Sequence, residues 1–338
     1  MRAGEGRSGD YHMKHFTPQD LSTLRALRER FLAGTAGAAD YWQSPEHLTL
    51  YDSTYAERIG WKWDAVLDEL RLRGWRSRCT RLLDWGCGTG IAHRRVLATW
   101  PQFTALALHD RSPQARMFAA EKVRREFPNV DVTWEAPSVT PDTLLLVSHV
   151  INELPEAGLN RLLELARAAG EVIWVEAGTH VDSRRLIEVR ERLREVYTPV
   201  APCTHTARCG MLTAKNAPHW CHHFARPPSP VFQDARWAEF AKEIGIDLRS
   251  VPYSFLVLAR VPAMEAGFSR VIGEPREAKG YAKVLSCQTE GVAEFILQKR
   301  DAPDFFKAIR KGSLGPVYRW EMEGGKIVGG EPGTVEGS

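Results

Sequence analysis

The amino-acid sequence predicts an α/β protein built on a doubly wound parallel sheet, and three observations carry that prediction. Between residues 79 and 178 short apolar runs alternate with helical stretches, the rhythm of parallel strands joined by crossover helices. The first of those strands runs directly into a glycine-rich turn, "CTRLLDWGCGTG" (79–90), and a helix follows. The composition, 43% hydrophobic and 26% charged over 338 residues, is that of a globular chain long enough for about two domains.

Residues 1–75 are expected to form an N-terminal helical cap. "TPQDLSTLRALRERFL" opens with Thr-Pro-x-Asp and spaces its leucines at helical intervals, and "YAERIGWKWDAVLDELRLRGW" repeats the pattern and closes on Gly74. No chemistry is expected of either piece. The sheet domain spans 76–262. After the glycine turn, "IAHRRVLATWP" is a helix stopped by Pro101, and "TALALHD" (104–110) is a strand with an acid at its end. "SPQARMFAAEKVRREFP" is a helix capped by Ser112 with Pro113 in its first position. "VDVTW" (130–134), "DTLLLVSHV" (142–150) and "EVIWVEAG" (171–178) are further strands, the last two separated by the helix "EAGLNRLLELARAAG". A charged helix over 182–197 leads to a cysteine- and histidine-rich segment (200–228), and "YSFLVLARV" (253–261) completes the sheet. Residues 263–320 read as a small α+β unit: two strands around a turn, then the helix "APDFFKAIRKG". The glycine-rich end (321–338) reads as a flexible tail.

Several function classes are excluded or demoted at this stage. No run of apolar residues is long enough for a membrane helix, so no membrane partner is expected, and the chain is taken as a monomer. The start, "MRAGEGRSGDYHMKHF", has neither an apolar signal core nor a clear Arg-rich amphipathic pattern. The expected location is therefore the cytoplasm of a bacterium, or the mitochondrion if the source is eukaryotic. Six cysteines in such a compartment point to ligands, reactive groups or packing rather than disulfides. The net charge of +3 does not by itself argue for nucleic acid, but residues 260–319 hold eleven Lys/Arg against seven Asp/Glu.

Asp84, Gly86, Gly88 and Gly90 form the pattern D-x-G-x-G-x-G between a strand and a helix. Glycines at alternate positions let the backbone turn sharply and let a ligand lie against it, and the helix start presents free N–H groups. The pattern resembles the first motif of the class I, Rossmann-like S-adenosylmethionine-dependent methyltransferases. That resemblance implies cofactor approach at the glycines, contact with the methionine end at Asp84, and a ribose-binding carboxylate at Asp110, 20 residues beyond Gly90. NAD is the rival ligand for such an acid. Cys87 is expected to pack in the turn and Cys79 in the core. The fourth strand ends Ser148-His149-Val-Ile-Asn152-Glu153-Leu-Pro155, without the Asn/Asp-Pro-Pro-Tyr signature of base-amino methylation. His149 and Glu153 are the catalytic candidates there, and Asn152 reads equally as a helix cap.

Cys203, Cys209 and Cys221 fall within one stretch with four histidines, "CTHTARCGMLTAKNAPHWCHHF", and no pair has the short gap of a zinc knuckle. Their spacing leaves an iron–sulfur cluster and zinc both open. "WVEAGT", "APCTHTARCG" and "HWCHHFAR" resemble the ribosome-associated methyltransferase-like family of the mitochondrial small ribosomal subunit. The matching residues are Glu176, Gly178, Thr179, Pro202, Cys203, His205, Cys209, Trp220, Cys221 and His222. An inserted His223 shifts the aromatic to Phe224, and Gly210-Met211 stands where the family usually has Pro-Leu. The resemblance covers about Leu82 to Gln298 and places a fourth cysteine at Cys287, in "REAKGYAKVLSC". It implies a [4Fe–4S] cluster on Cys203, Cys209, Cys221 and Cys287; such a cluster would pin the C-terminal unit to the sheet domain, with the histidines as donors to sulfur or partners for phosphate and with Trp220 and Phe224 excluding water. The function it implies is an S-adenosylmethionine-binding, rRNA-binding assembly or translation factor of the small ribosomal subunit. Lys279, Lys283, Lys299, Arg300, Arg310 and Lys311 are compatible with phosphate contacts. The alternatives are an active methyltransferase on rRNA or a ribosomal protein, and a small-molecule methyltransferase with a zinc-stabilised lid.

Overall fold

The computed structural model of the protein describes residues 15–32, 42, 44–134, 138–263, 265 and 267–333. The expectations placed on residues 1–14 and on the last five residues lie outside them. Helix α1 (Pro18–Leu32) precedes a continuous helical run made of α2 (Pro45–Tyr51), a π-helical turn (Asp52–Ala56) and α3 (Glu57–Leu72). Ser44 caps α2 by accepting from His47 N, with Pro45 in the first turn.

The sheet domain then follows as β1 (Arg81–Trp85), α4 (Ile91–Thr99), β2 (Ala105–His109), α5 (Pro113–Glu126), β3 (Asp131–Thr133), β4 (Thr143–Ser148), α6 (Glu156–Ala168), β5 (Glu171–Ala177) and α7 (His180–Leu193). After it come β6 (Thr198–Ala201), β7 (His223–Ala225), α8 (Ala235–Ile244) and β8 (Val251–Ala259). The strand order is β3-β2-β1-β4-β5-β8-β6, with β7 also on β8. The pairings among β1 to β5 are parallel. Strand β8 enters antiparallel to both β5 and β6, so the predicted parallel sheet is mixed at this edge. Alternation along each strand feeds two cores. Leu144 and Leu146 of β4 pack with α3, α4 and α5, whereas Leu145 and Val147 pack with α6 and α7.

The C-terminal unit holds β9 (Ser269–Val271), β10 (Arg276–Ala278), β11 (Tyr281–Gln288), β12 (Gly291–Gln298), α9 (Pro303–Arg310), β13 (Val317–Glu323) and β14 (Lys326–Pro332). Its sheet runs β10-β11-β12-β14-β13-β9 and closes through a further β9–β11 pairing. The ring β9-β11-β12-β14-β13 is a small barrel in which only β12 and β14 run parallel. Those connections, with a helix between the third and fourth ring strands, are those of an OB-type barrel. The expected flexible tail is thus corrected as far as Pro332. Ile327 is fully buried in the barrel core, and its glycines allow the strand to pack closely on Trp320.

Candidate functional site

Order reverses at β1: the chain builds β2 and β3 on one side and β4 and β5 on the other. A cavity of about 590 Å³ opens at this switch point, beyond the carboxyl ends of the strands. Gly86, Gly88, Asp110, His149 and Glu153 all line it, so the structure brings most of the predicted site together. The three glycines of the turn do different work. A Cβ at Gly88 would meet nothing within 4 Å, which leaves that backbone open to a ligand. At Gly86 it would strike Val150 Cγ1 at 2.5 Å, and at Gly90 the His93 ring at 2.4 Å. Gly90 therefore makes room for a buried imidazole, and only part of the glycine pattern serves the cavity.

Asp84 departs from its expected place at the methionine end. Its carboxylate is fully buried, does not line the cavity, and bonds His93 Nδ1 at 2.7 Å. Its Oδ1 has no partner among the described residues. Asp110 keeps its predicted place: Oδ2 accepts from Gly88 N and Oδ1 from Ser112 N, each at 2.9 Å. These bonds orient the carboxylate while leaving one lone pair per oxygen free for hydroxyl donors. Burial holds it above the usual carboxylate range.

His149 follows β4 with φ +56°, the left-handed region that a β-carbon disfavours. Its Nε2 lies 3.2 Å from Lys62 Nζ, and burial keeps the ring well below its ordinary pKa, hence neutral. Burial also raises the Glu153 carboxyl. Asn152 is not the cap of α6; that place is taken by Pro155, which makes no side-chain cap bond. Arg58 and Lys62, which α3 contributes to the cavity, are not among the residues the sequence predicts for the site, since no chemistry is expected of a helical cap. Their signal was available: charges one helical turn apart and in register with Val66, on a helix whose Trp61, Trp63 and Val66 are all buried.

The second site lies where the sheet domain meets the barrel. Cys203, Cys209, Cys221 and Cys287 line one small cavity together with Arg190 and Arg270. Helix α7 builds much of it. Ser183 Oγ donates to Cys221 O at 2.6 Å, Arg184 reaches the carbonyls of Met211, Asn216 and His219, and Arg190 Nε donates to Cys203 Sγ at 3.3 Å. Helix α3 reaches it from the other side. Arg73 donates to the carbonyls of Val200, Pro202 and Cys203, and pairs with Glu69 at 2.6 Å. Glu69 also holds Arg270 at 2.8 Å, and Arg270 in turn lies 3.1 Å from His223 Nδ1.

Two histidines meet sulfur as expected: His205 Nε2 is 3.4 Å from Cys287 Sγ, and His223 Nε2 is 3.7 Å from Cys221 Sγ. His222 instead stacks on Trp220, and neither Trp220 nor Phe224 lines the cavity, so the predicted shield is built from Met211, Phe255, Leu256 and Ile272. Burial raises the Cys209 thiol to about 11 and pushes Cys221 and Cys287 up as well. Such thiols stay protonated unless a cation draws the proton off. Four sulfurs facing one space, with two guanidiniums beside them to balance anionic charge, are a donor set that fits a thiolate-ligated cluster. Among the described residues, no three His, Cys, Asp or Glu side chains are placed around a single metal ion. Cys79 and Cys87 are buried in the main core, as expected.

A model of the family described as "Mitochondrial small ribosomal subunit Rsm22" matches residues 57–319. The chain belongs to the Rsm22 family. The match takes in α3, the cavity at the switch point, the cysteine site and the barrel through α9. No curated protein matches the chain. Among solved structures it is similar to the mitomycin 7-O-methyltransferase MmcR at 16% identity and TM-score 0.34, over 48% of this chain and 52% of that one. This Rsm22-family chain thus spans about half the length of that enzyme. It is also similar to an S-adenosylmethionine-dependent methyltransferase from Aquifex aeolicus at 19% identity and TM-score 0.32 (40% and 73% covered), and to the MccD protein at 14% and 0.33 (58% and 95%). Among the described residues no helix is long and apolar enough to cross a membrane.

Proposed function

We propose that this protein is an S-adenosylmethionine-binding, [4Fe–4S]-binding factor of the small ribosomal subunit that contacts rRNA during assembly or translation. The observation that carries the reading is the convergence of Cys203, Cys209, Cys221 and Cys287 on one cavity between two units. Four cysteines suit a [4Fe–4S] cluster, and a zinc ion held there is the alternative. When bound, the cluster supplies a covalent tie between the sheet domain and the barrel. Arg190, Arg270, His205 and His223 would orient the thiolates and offset their charge.

Partner and place rest on the family, whose description names the mitochondrial small ribosomal subunit. A bacterial member would act in the cytoplasm, and a eukaryotic one in the mitochondrion. The barrel supports an RNA contact, since OB-type barrels bind oligonucleotides on the face of their second and third strands. Those strands are β11 and β12, whose outer face carries Tyr281, Lys283 and Ile296 beside Arg276, with Lys299 at its end. Part of the basic surface is already offset: Lys283 pairs with Glu294, Arg300 with Asp301 and Arg310 with Glu277. Methyl transfer is the second reading, favoured by His149 and Glu153 at the cavity wall.

Anaerobic purification with iron, sulfide and zinc analysis tests the proposal. About four irons and four sulfides per chain, lost in Cys287→Ser, are expected. A colourless protein with one zinc that is indifferent to Cys287→Ser would refute the cluster.

A further inference from the structure

Two cations on one face of α3 point into the cofactor cavity. Arg58 and Lys62 are one helical turn apart and both line it. Lys62 is only 8% exposed, and among the described residues no carboxylate pairs with it; its hydrogen-bond partner is the neutral His149. Arg58 Nε is buried without a partner, and its Nη2 makes a long 3.4 Å bond to Ser250 O. Arg58 is half-buried and feels Asp247, but Lys62 is a buried charge without a counter-charge, which is costly and is normally completed by an anion.

We propose that Lys62 and Arg58 form the seat for the methionine carboxylate of S-adenosylmethionine. The inference rests on the cofactor reading above and deepens it. Asp110 ends β2 and His149 follows β4, with only β1 between them, so the two lie about 10 Å apart across the strands. The aminoacyl arm of the cofactor, extended from a ribose on Asp110, crosses that distance and brings its one anionic group to Lys62.

The acids that act on Lys62 do not take the place of this ligand. Glu176 on β5 accepts from Val150 N, Ile151 N and Trp174 Nε1, and Asp182 on α7 bonds Thr179. His149 acts as an acceptor that aims the ammonium. An RNA phosphate is the other anion available to such a factor, but a polymer backbone does not reach a lysine this buried. Burial, with Arg58 second, pushes Lys62 down to about 7. An arriving carboxylate reverses that effect, so binding above neutral pH takes up a proton.

Calorimetric titration with S-adenosylmethionine and with its decarboxylated analogue, which lacks only that carboxylate, is the test. The wild-type chain should prefer the intact cofactor by about tenfold to a hundredfold. Lys62→Met keeps the aliphatic stem and removes a buried charge; it should lower the preference to about twofold or less. Arg58→Gln should lower it independently, and decides the matter if the first variant does not fold. Retention of the full preference in both variants overturns the seat while leaving cofactor binding intact. A wild-type chain that binds neither nucleoside overturns the cofactor reading and the seat with it. Variants that keep the preference but lose affinity for a short oligoribonucleotide overturn the seat in favour of a phosphate site.

Discussion

Removing the Glu69 carboxylate should weaken the joint between the sheet domain and the barrel more than any nearby surface change. Glu69 is 5% exposed and accepts from Arg73 at 2.6 and 3.0 Å and from Arg270 at 2.8 Å. Glu69→Ala leaves two buried guanidiniums facing each other without a counter-charge. Breaking a buried pair by deleting one partner costs about 3–5 kcal/mol. Against a total stability of about 5–15 kcal/mol, that is roughly a fifth or more of what holds a domain folded. With a urea slope of about 3 kcal/mol per molar, the midpoint should fall by roughly 1–1.7 M. The barrel should also be released first, seen as early proteolysis near residue 263 and loss of bound iron. Replacing both Glu69 and Arg270 by Met should recover part of the loss, because only Arg73, which still donates to the carbonyls of Val200, Pro202 and Cys203, is then left without its carboxylate. A Glu69→Ala midpoint within about 0.3 M of wild type would refute the claim that this ion network carries the joint.

Two further outcomes follow from the same geometry. Gly210→Ala places a methyl 2.7 Å from Val292 N and 2.8 Å from Gly291 Cα, backbone atoms that cannot yield cheaply. It should cost about 1–3 kcal/mol and lower iron retention, and unchanged iron content would show that the cysteine segment does not dock on β12 as described. Burial pushes the Glu176 carboxyl up from 4.5 to about 8. The folded chain then holds a proton that the unfolded chain has released, so wild-type stability falls as pH rises across that window, by at most about 1.4 kcal/mol per unit. Glu176→Gln keeps an acceptor for Trp174 Nε1 and lacks this slope. Parallel stability curves for the two proteins between pH 5 and 8 would rule out the raised value.

Much of the site was legible in residue order. The strand–turn–helix with Asp84 and its glycines and the acid at the end of β2 are local patterns, and the methyltransferase resemblance singled them out together with His149 and Glu153; Asp110, His149 and Glu153 do face the cavity, as do Gly86 and Gly88. Cys203, Cys209 and Cys221 stand out in the sequence by their clustering, whereas Cys287 is connected to them only by a resemblance. What local pattern does not report is the partner of a face. Lys62 meets His149 across 87 residues, and Glu69 meets Arg270 across 201. Nothing in a helical period says that charges on it will be buried against a cavity and a distant barrel. The burial of Asp84 against His93, the antiparallel entry of β8 and the ordering of the glycine-rich end as β14 are of the same kind. Each depends on which elements stack in space. Hydrophobic periodicity determines that a face must be covered, and only the packing of remote segments determines what covers it.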